Sequence, residues 1–356
     1  MLRGLKILLI LVAATIAVTP LSRSTVERVY SRGIYAAIQP SLTTASNASR
    51  VAWFDVALLV AGAVMLALII ARLRGRHGWI VTFATLAFDI MALAAVLYLW
   101  FLVAWGLNYQ REPLRSQLDF QESRITQTAL RDLAVRAVAF LNQHYEESHG
   151  RGWADYEATS DSLVPAFGQA QRQLGMQWTA AAGRPKRSIV DLYFRRASVD
   201  GMTDPFFLET LTNQSLLPFE RPFVVAHEWS HLAGYADESE ANFVAWLICM
   251  RADVPEQYSA WLSLYGTIVN ALAPADRAEV SQALEQGPRD DLRTIADRVR
   301  RQVSPLTSRG GYAVYDKFLK ANRVQAGIRS YNEVIRLLVG TRFTEDGAPV
   351  LSTPAQ

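Results

Sequence analysis

Only one cysteine, Cys249, occurs among the 356 residues, so neither an intrachain disulfide nor a Cys-x-x-Cys metal site can form. It sits in the apolar run Phe243 to Met250, where a thiol behaves as a small core hydrophobe. Histidine is scarce too, at five residues. Charge is thin: Asp, Glu, Lys and Arg make up 19% of the chain, and the formal net charge is +3. Basic blocks, arginines interleaved with aromatics, and zinc-finger or helix-turn-helix spacings are all missing, which argues against nucleic acid as a partner. Repeats and low-complexity tracts are absent as well.

What is abundant is apolar sequence, concentrated in three blocks before residue 106. They cover about 5–20, 51–71 and 80–105, against the ~20 residues that a helix needs to cross a bilayer. The first is short, and its basic start with Arg3 and Lys6 also suits a signal peptide. No small-x-small cleavage site follows, so it is read as a retained span. Trp79, Trp100, Trp105 and Tyr109 flank the third block as interfacial aromatics do. Asp89, inside it, is expected to make a buried polar contact with a neighbouring helix. Arg72, Arg74 and Arg76 crowd the turn between the second and third blocks and mark it as cytoplasmic, outweighing four scattered arginines in the 20–50 loop. The expected organisation is a three-helix membrane anchor over 1–105, with an extracytoplasmic loop at 20–50. A catalytic domain over 106–356 follows, on the periplasmic or extracellular side. The outer loop and the extreme C-terminus read as weakly structured.

Beyond the anchor, helical periodicity covers Thr126 to His144, Asp161 to Leu174, Pro222 to His231 and Glu238 to Met250. Further helices are expected near 256–273, 276–284, 289–302, 312–321 and 330–339. Gly183 to Lys186 reads as a turn; Ser188 to Phe194 and Phe206 to Leu211 read as short strands. The fold class is thus a mostly α-helical (α+β) domain with a small sheet behind three transmembrane helices.

The chemistry concentrates in His227-Glu228-Trp229-Ser230-His231. Histidines four apart on a helix share one face and can hold one metal ion, and the glutamate between them takes a proton from a water that the metal activates. Pro222 suits the first turn of that helix and Gly234 its end. A third ligand should come from Asp237, Glu238 or Glu240. Asp237 three residues before Glu240 is a capping-box pattern, which gives both a structural task and favours Glu238 for the metal. Asn242, one turn later, can accept the free ring N–H of a ligand histidine. With two imidazoles and a carboxylate, the fourth position is left to water, as in catalytic zinc sites. Donors for the developing oxyanion are sought in Tyr312, Tyr315, Tyr331 and Arg329.

Several segments together are similar to one bacterial family of membrane-anchored proteins, domain of unknown function 3810 (DUF3810), related to the glutamate-type zincins. They are Val26 to Ser31, Trp105 to Arg111, Ala226 to Tyr235, Glu238 to Phe243, Val314 to Lys320 and Gly327 to Tyr331. The resemblance implies a zincin-like domain, one zinc ion, and Glu238 in the ligand place. Asn242 stands where the glutamate-type zincins carry aspartate. The resemblance also implies that Gly201 to Leu217 supplies a substrate-binding edge strand, with Phe206 and Phe207 lining the cleft and Asn213 bonding substrate main chain.

The expected function is therefore a zinc metallopeptidase of a bacterial inner membrane, multi-pass in the lipid bilayer, with Glu228 as base and Tyr315 and Tyr331 as candidate catalytic donors. It would cleave an extracytoplasmic or membrane-proximal protein or peptide substrate. The alternatives are a zinc-binding sensor or scaffold with little turnover, and a hydrolase of a non-protein amide such as a cell-wall cross-link.

Overall fold

A computed structural model describes residues 2–19, 21–74, 78–156, 158–311 and 333–352. Three apolar helices occupy the N-terminal part: α1 (Leu2–Val18), α4 (Trp53–Arg74) and α5 (Trp79–Ala104). Between the first two lie α2 (Arg23–Thr25), a π-helical stretch Val26–Ile34 and α3 (Tyr35–Asn47). By length and composition, α4 and α5 can each cross a membrane. The number rises to three if Arg3–Val18 and Arg23–Asn47, bent by 119°, count as one broken span. Leu59, Val60 and Leu66 on α4 expose more than half of their surface, as lipid-facing side chains do. Asp89 of α5 meets Lys6 of α1 at 2.6 Å and Nε of Arg72 on α4 at 3.1 Å, so one buried carboxylate ties the three helices together.

Within the loop expected to be weakly structured, residues 23–47 are instead helical and pack on the large domain. On α3, Tyr35, Gln39, Thr43 and Ser46 recur every three or four residues and are all buried. Gln39 exchanges two hydrogen bonds of 2.9 Å with the main chain of Ala181, and Thr43 donates to the Leu208 carbonyl at 2.9 Å. The inward face is polar because it covers irregular loops whose main-chain groups need partners. No hydrophobic stripe marks such a helix.

The large domain is mostly helical. After α6 (Leu114–Gln117) come α7 (Gln127–Arg151), capped by the Thr126 hydroxyl, and α8 (Leu163–Gln173). Then follow β1 (Pro185–Lys186), α9 (Asp191–Ala197), β2 (Gly201–Thr203) and β3 (Thr210–Thr212). The remaining elements are α10 (Arg221–Leu232), α11 (Glu238–Cys249), α12 (Val254–Asn270), α13 (Pro274–Ala283), α14 (Gln286–Gln302) and α15 (Glu333–Gly340). The core sits where α10 and α11 pack on each other and on α8 and α12, around Trp229, Phe243, Leu247 and Tyr258. The helix expected at 312–321 lies outside the described residues.

The sheet departs from expectation. Its order is β1–β3–β2, with β1 parallel and β2 antiparallel to β3, which leaves β2 at an edge. Pro185 and Lys186 are strand rather than turn, while Ser188 to Phe194 leads into helix α9 rather than forming a strand. Phe206 and Phe207 lie in a turn before β3, pinned by the Asp204 carboxylate, which accepts both of their N–H groups at 3.0 and 2.8 Å. Strands of two or three residues are too short for alternation to betray them.

Candidate metal centre

Pro222, in the first turn of α10, lacks an N–H at a place where the helix has no internal partner for one. The helix stops at Gly234, whose φ of +88° reverses the chain; a Cβ there would sit 2.8 Å from Arg111 Nη1. The reversal brings in α11, whose N-cap Asp237 accepts from Ser239 and Glu240 N–H at 2.9 and 3.3 Å. The other half of the expected capping box is missing. Glu240 Oε1 instead accepts the Leu114 N–H at 2.6 Å, and burial pushes its carboxyl up to about 8. Glu238, next to the cap, points back at α10.

His227, His231 and Glu238 form a cluster that could hold a metal ion. The two Nε2 atoms are 3.1 Å apart, and Glu238 Oε2 is 3.2 Å from that of His227 and 3.7 Å from that of His231. Donors bound at ~2.0–2.2 Å to one tetrahedral ion lie roughly 3.3–3.5 Å from each other. The three separations bracket that edge, so the donor set fits such an ion. Both imidazoles are turned the right way by their other nitrogen: His227 Nδ1 meets Asn242 Oδ1 at 3.0 Å, and His231 Nδ1 meets the Tyr235 carbonyl at 2.7 Å. With Nδ1–H donating in each ring, Nε2 is the nitrogen that faces the cluster, where a cation competes with a proton for its lone pair.

The electrostatics suit a cation. Burial lowers His231, but the Glu238 carboxylate outweighs it and brings the imidazole up to about 9. Burial raises Glu238, yet the two histidines hold it well below the usual carboxylate range. Glu228 is also buried, which raises it against the opposing pull of both imidazoles and of the Thr203 hydroxyl.

Edge strand β2 lies against α10 and shapes the pocket of Glu228. The Thr203 hydroxyl is 2.9 Å from Glu228 Oε2 and 2.8 Å from the Glu228 carbonyl. A Cβ at Gly201 would lie 2.5 Å from Glu228 Oε1, so only glycine leaves the carboxylate where it is. Asp204 N–H bonds the Glu209 carbonyl, and Asn213 N–H bonds the Asp200 carbonyl, each at 2.9 Å. Alternation along an antiparallel ladder then turns the main-chain groups of Gly201 and Thr203 toward the open edge.

A ring of supports beneath the cluster comes from distant segments that residue chemistry alone did not single out. Trp105 Nε1 donates to the His231 carbonyl at 3.1 Å and Tyr35 OH to the Leu232 carbonyl at 2.8 Å. Arg111 pairs with Glu27 at 3.0 Å, donates to the Ala233 carbonyl at 3.3 Å and lies over the Tyr235 ring. Tyr109 packs edge-on to Trp105; burial first, and then the charges of Glu238 and Asp237, hold its hydroxyl protonated. Glu27, Trp105, Tyr109 and Arg111 were signalled in advance by the segments Val26 to Ser31 and Trp105 to Arg111, and Trp105 and Tyr109 also as membrane-flanking aromatics; Tyr35 carried no such signal.

Three further sequence-derived candidates, Phe206, Phe207 and Asn213, make their contacts elsewhere. Phe206 packs near Phe101, and its carbonyl accepts from Trp100 Nε1 at 3.0 Å; Phe207 meets Trp53 edge-on. Asn213 is buried, donating to the Val199 carbonyl and accepting from Ser215 N–H and hydroxyl. Its amide thus ties the turn after β3 to the segment before β2. Tyr312, Tyr315, Arg329 and Tyr331 lie outside the described residues.

A family model described as "Protein of unknown function (DUF3810)" matches residues 30–339. No curated protein and no solved structure matches.

Proposed function

The chain belongs to the DUF3810 family, and from that premise we propose that it is a membrane-anchored zinc metallopeptidase. The observation that carries the reading is the convergence of His227 Nε2, His231 Nε2 and Glu238 Oε2 within one coordination radius, with the Glu228 carboxylate alongside. Those three residues would hold a zinc ion, which when bound would supply Lewis acidity to acidify a water and polarise a carbonyl. Glu228, braced by Thr203 and Gly201, takes the proton of the attacking water and hands it to the leaving amine. The open edge of β2 offers Gly201 and Thr203 main chain to an extended peptide, which would add as a further strand. A sensor or scaffold has no use for a base so placed, and this favours turnover over simple metal retention.

The substrate is membrane-proximal on this reading. Trp105 ends α5 and bonds the His231 carbonyl, so the metal helix rests on the end of a candidate span. Trp105 follows Trp100 by five positions, roughly 8 Å of helix rise. A scissile bond would then lie within a few residues of the bilayer. The three arginines at 72–76 support a topology with that face outside the cytoplasm of a bacterial inner membrane.

The test is Glu228→Gln in the full chain, reconstituted into vesicles with solubilised membrane proteins of its source. The wild type should release new peptide N-termini, and the variant should release none while holding the same single zinc. Equal release by both would remove Glu228 as base; release by neither, with zinc retained, would favour the scaffold.

A further inference from the structure

Helix α9 and the turn before it carry an apolar face that stays largely exposed among the described residues. Ile189 and Leu192 are each 58% exposed and Tyr193 is 49% exposed. The opposite face of α9 is buried: Phe194 packs with Ala52 and Leu211, and Asp191 accepts the Gln214 N–H at 2.8 Å. The helix is therefore firmly seated, and its outward residues are held in place rather than dangling.

The position of that face is set by α4. Asp55, in the first turn of α4, accepts the Ile189 N–H at 2.9 Å and the Ser188 hydroxyl at 2.5 Å. Glu209 caps the same helix end, accepting the N–H groups of Trp53 and Phe54 at 3.0 and 2.9 Å, and pairs with buried Lys186 at 2.7 Å. Ile189 is thus level with the start of an apolar helix able to cross a bilayer. Trp53 and Trp100, partly exposed near the same level, are the aromatics expected at a membrane boundary.

We propose that Ile189, Leu192 and Tyr193 form a docking face for the bilayer itself, seated in the headgroup–acyl boundary of the leaflet nearest the large domain. Continuity with α4 selects lipid as the occupant, since a surface fixed to the first turn of a spanning helix cannot avoid the interface. The contact gives the domain a foothold separate from the spans. Met202 of β2 packs on the same small cluster as Phe194, so this foothold also sets the height of the edge strand above the membrane. The inference stands on the spans alone and does not require catalysis.

Single cysteines test it, because Cys249 is buried and leaves the background unreactive. Leu192→Cys, Tyr193→Cys and, as control, Val135→Cys on α7 are labelled with bimane. The full chain is placed, one copy per disc, in phosphatidylcholine nanodiscs. A face lying ~5–10 Å into the boundary predicts blue-shifted emission at 192 and 193. It also predicts stronger quenching by lipid brominated near the carbonyl end of the acyl chain than near the methyl end. Position 135 should report water and no quenching. Labels at 192 and 193 that match the control would overturn the proposal. So would labels shielded only when two copies share a disc, since a second copy would then be the occupant.

Discussion

Replacing Asn242 by alanine should weaken zinc binding by ten- to a hundredfold, the range typical for a lost partner of a ligand histidine. The 3.0 Å contact from His227 Nδ1 to Asn242 Oδ1 is one neutral hydrogen bond, contributing ~0.5–1.5 kcal/mol net, or roughly two- to tenfold in affinity. The rest comes from the ring. Without an acceptor at Nδ1, His227 is free to place its proton on Nε2 or to rotate away from Glu238, and the metal must then reverse that choice. Asn242→Asp makes the opposite prediction. A charge-assisted bond is about twice as strong as a neutral one, so affinity should equal or exceed that of the native chain. Competition against a chromophoric zinc chelator, with the full chain in detergent micelles at fixed pH, measures both variants; circular dichroism checks that the helices persist. Native-like affinity in a folded Asn242→Ala protein would refute the orienting role.

Other substitutions probe the same frame. Gly201→Ala places a methyl against Glu228 Oε1; displacement of a catalytic group by ~1 Å costs about a hundredfold, so peptide release should fall by that order with zinc content unchanged. Lys186→Met strands the buried Glu209 carboxylate and should destabilise by ~3–5 kcal/mol, read as a lower unfolding midpoint in denaturant. Asp204, pushed up to about 7 chiefly by burial, binds its proton more tightly folded than unfolded. Its contribution is full below pH ~4 and is lost as pH rises through 7, by about 4 kcal/mol at most. Midpoints measured between pH 5 and 8 should therefore fall less steeply for Asp204→Asn than for the native chain, and parallel curves would contradict the assignment.

The parts legible in sequence share one property: their partners are close along the chain. His227, Glu228 and His231 lie on one helix, and Asp237 caps the next one as its spacing suggested. The capping argument that favoured Glu238 was only half right, because Glu240 turned to the Leu114 N–H more than a hundred residues away. What escaped notice is held by long-range polar contacts. Tyr35, Glu27, Arg111 and Trp105 reach the loop after His231 from segments that show no hydrophobic periodicity or read as membrane flank. Helix α3 faces inward with glutamine, threonine and serine, so a reading keyed to apolar stripes passes over it. Phe206 and Phe207 looked like a strand because both are bulky and apolar, yet they meet the aromatic ends of α4 and α5. Thr203 and Gly201, which brace Glu228, sit in a strand of three residues that leaves almost no pattern.

Zinc-edge X-ray absorption on the purified full chain addresses the metal assignment most directly. It should return two imidazole nitrogens and carboxylate oxygen, with a further light scatterer that exchanges for an added thiolate or hydroxamate ligand. A protein that takes up no zinc, or one whose four donors are all fixed and resist exchange, would contradict it.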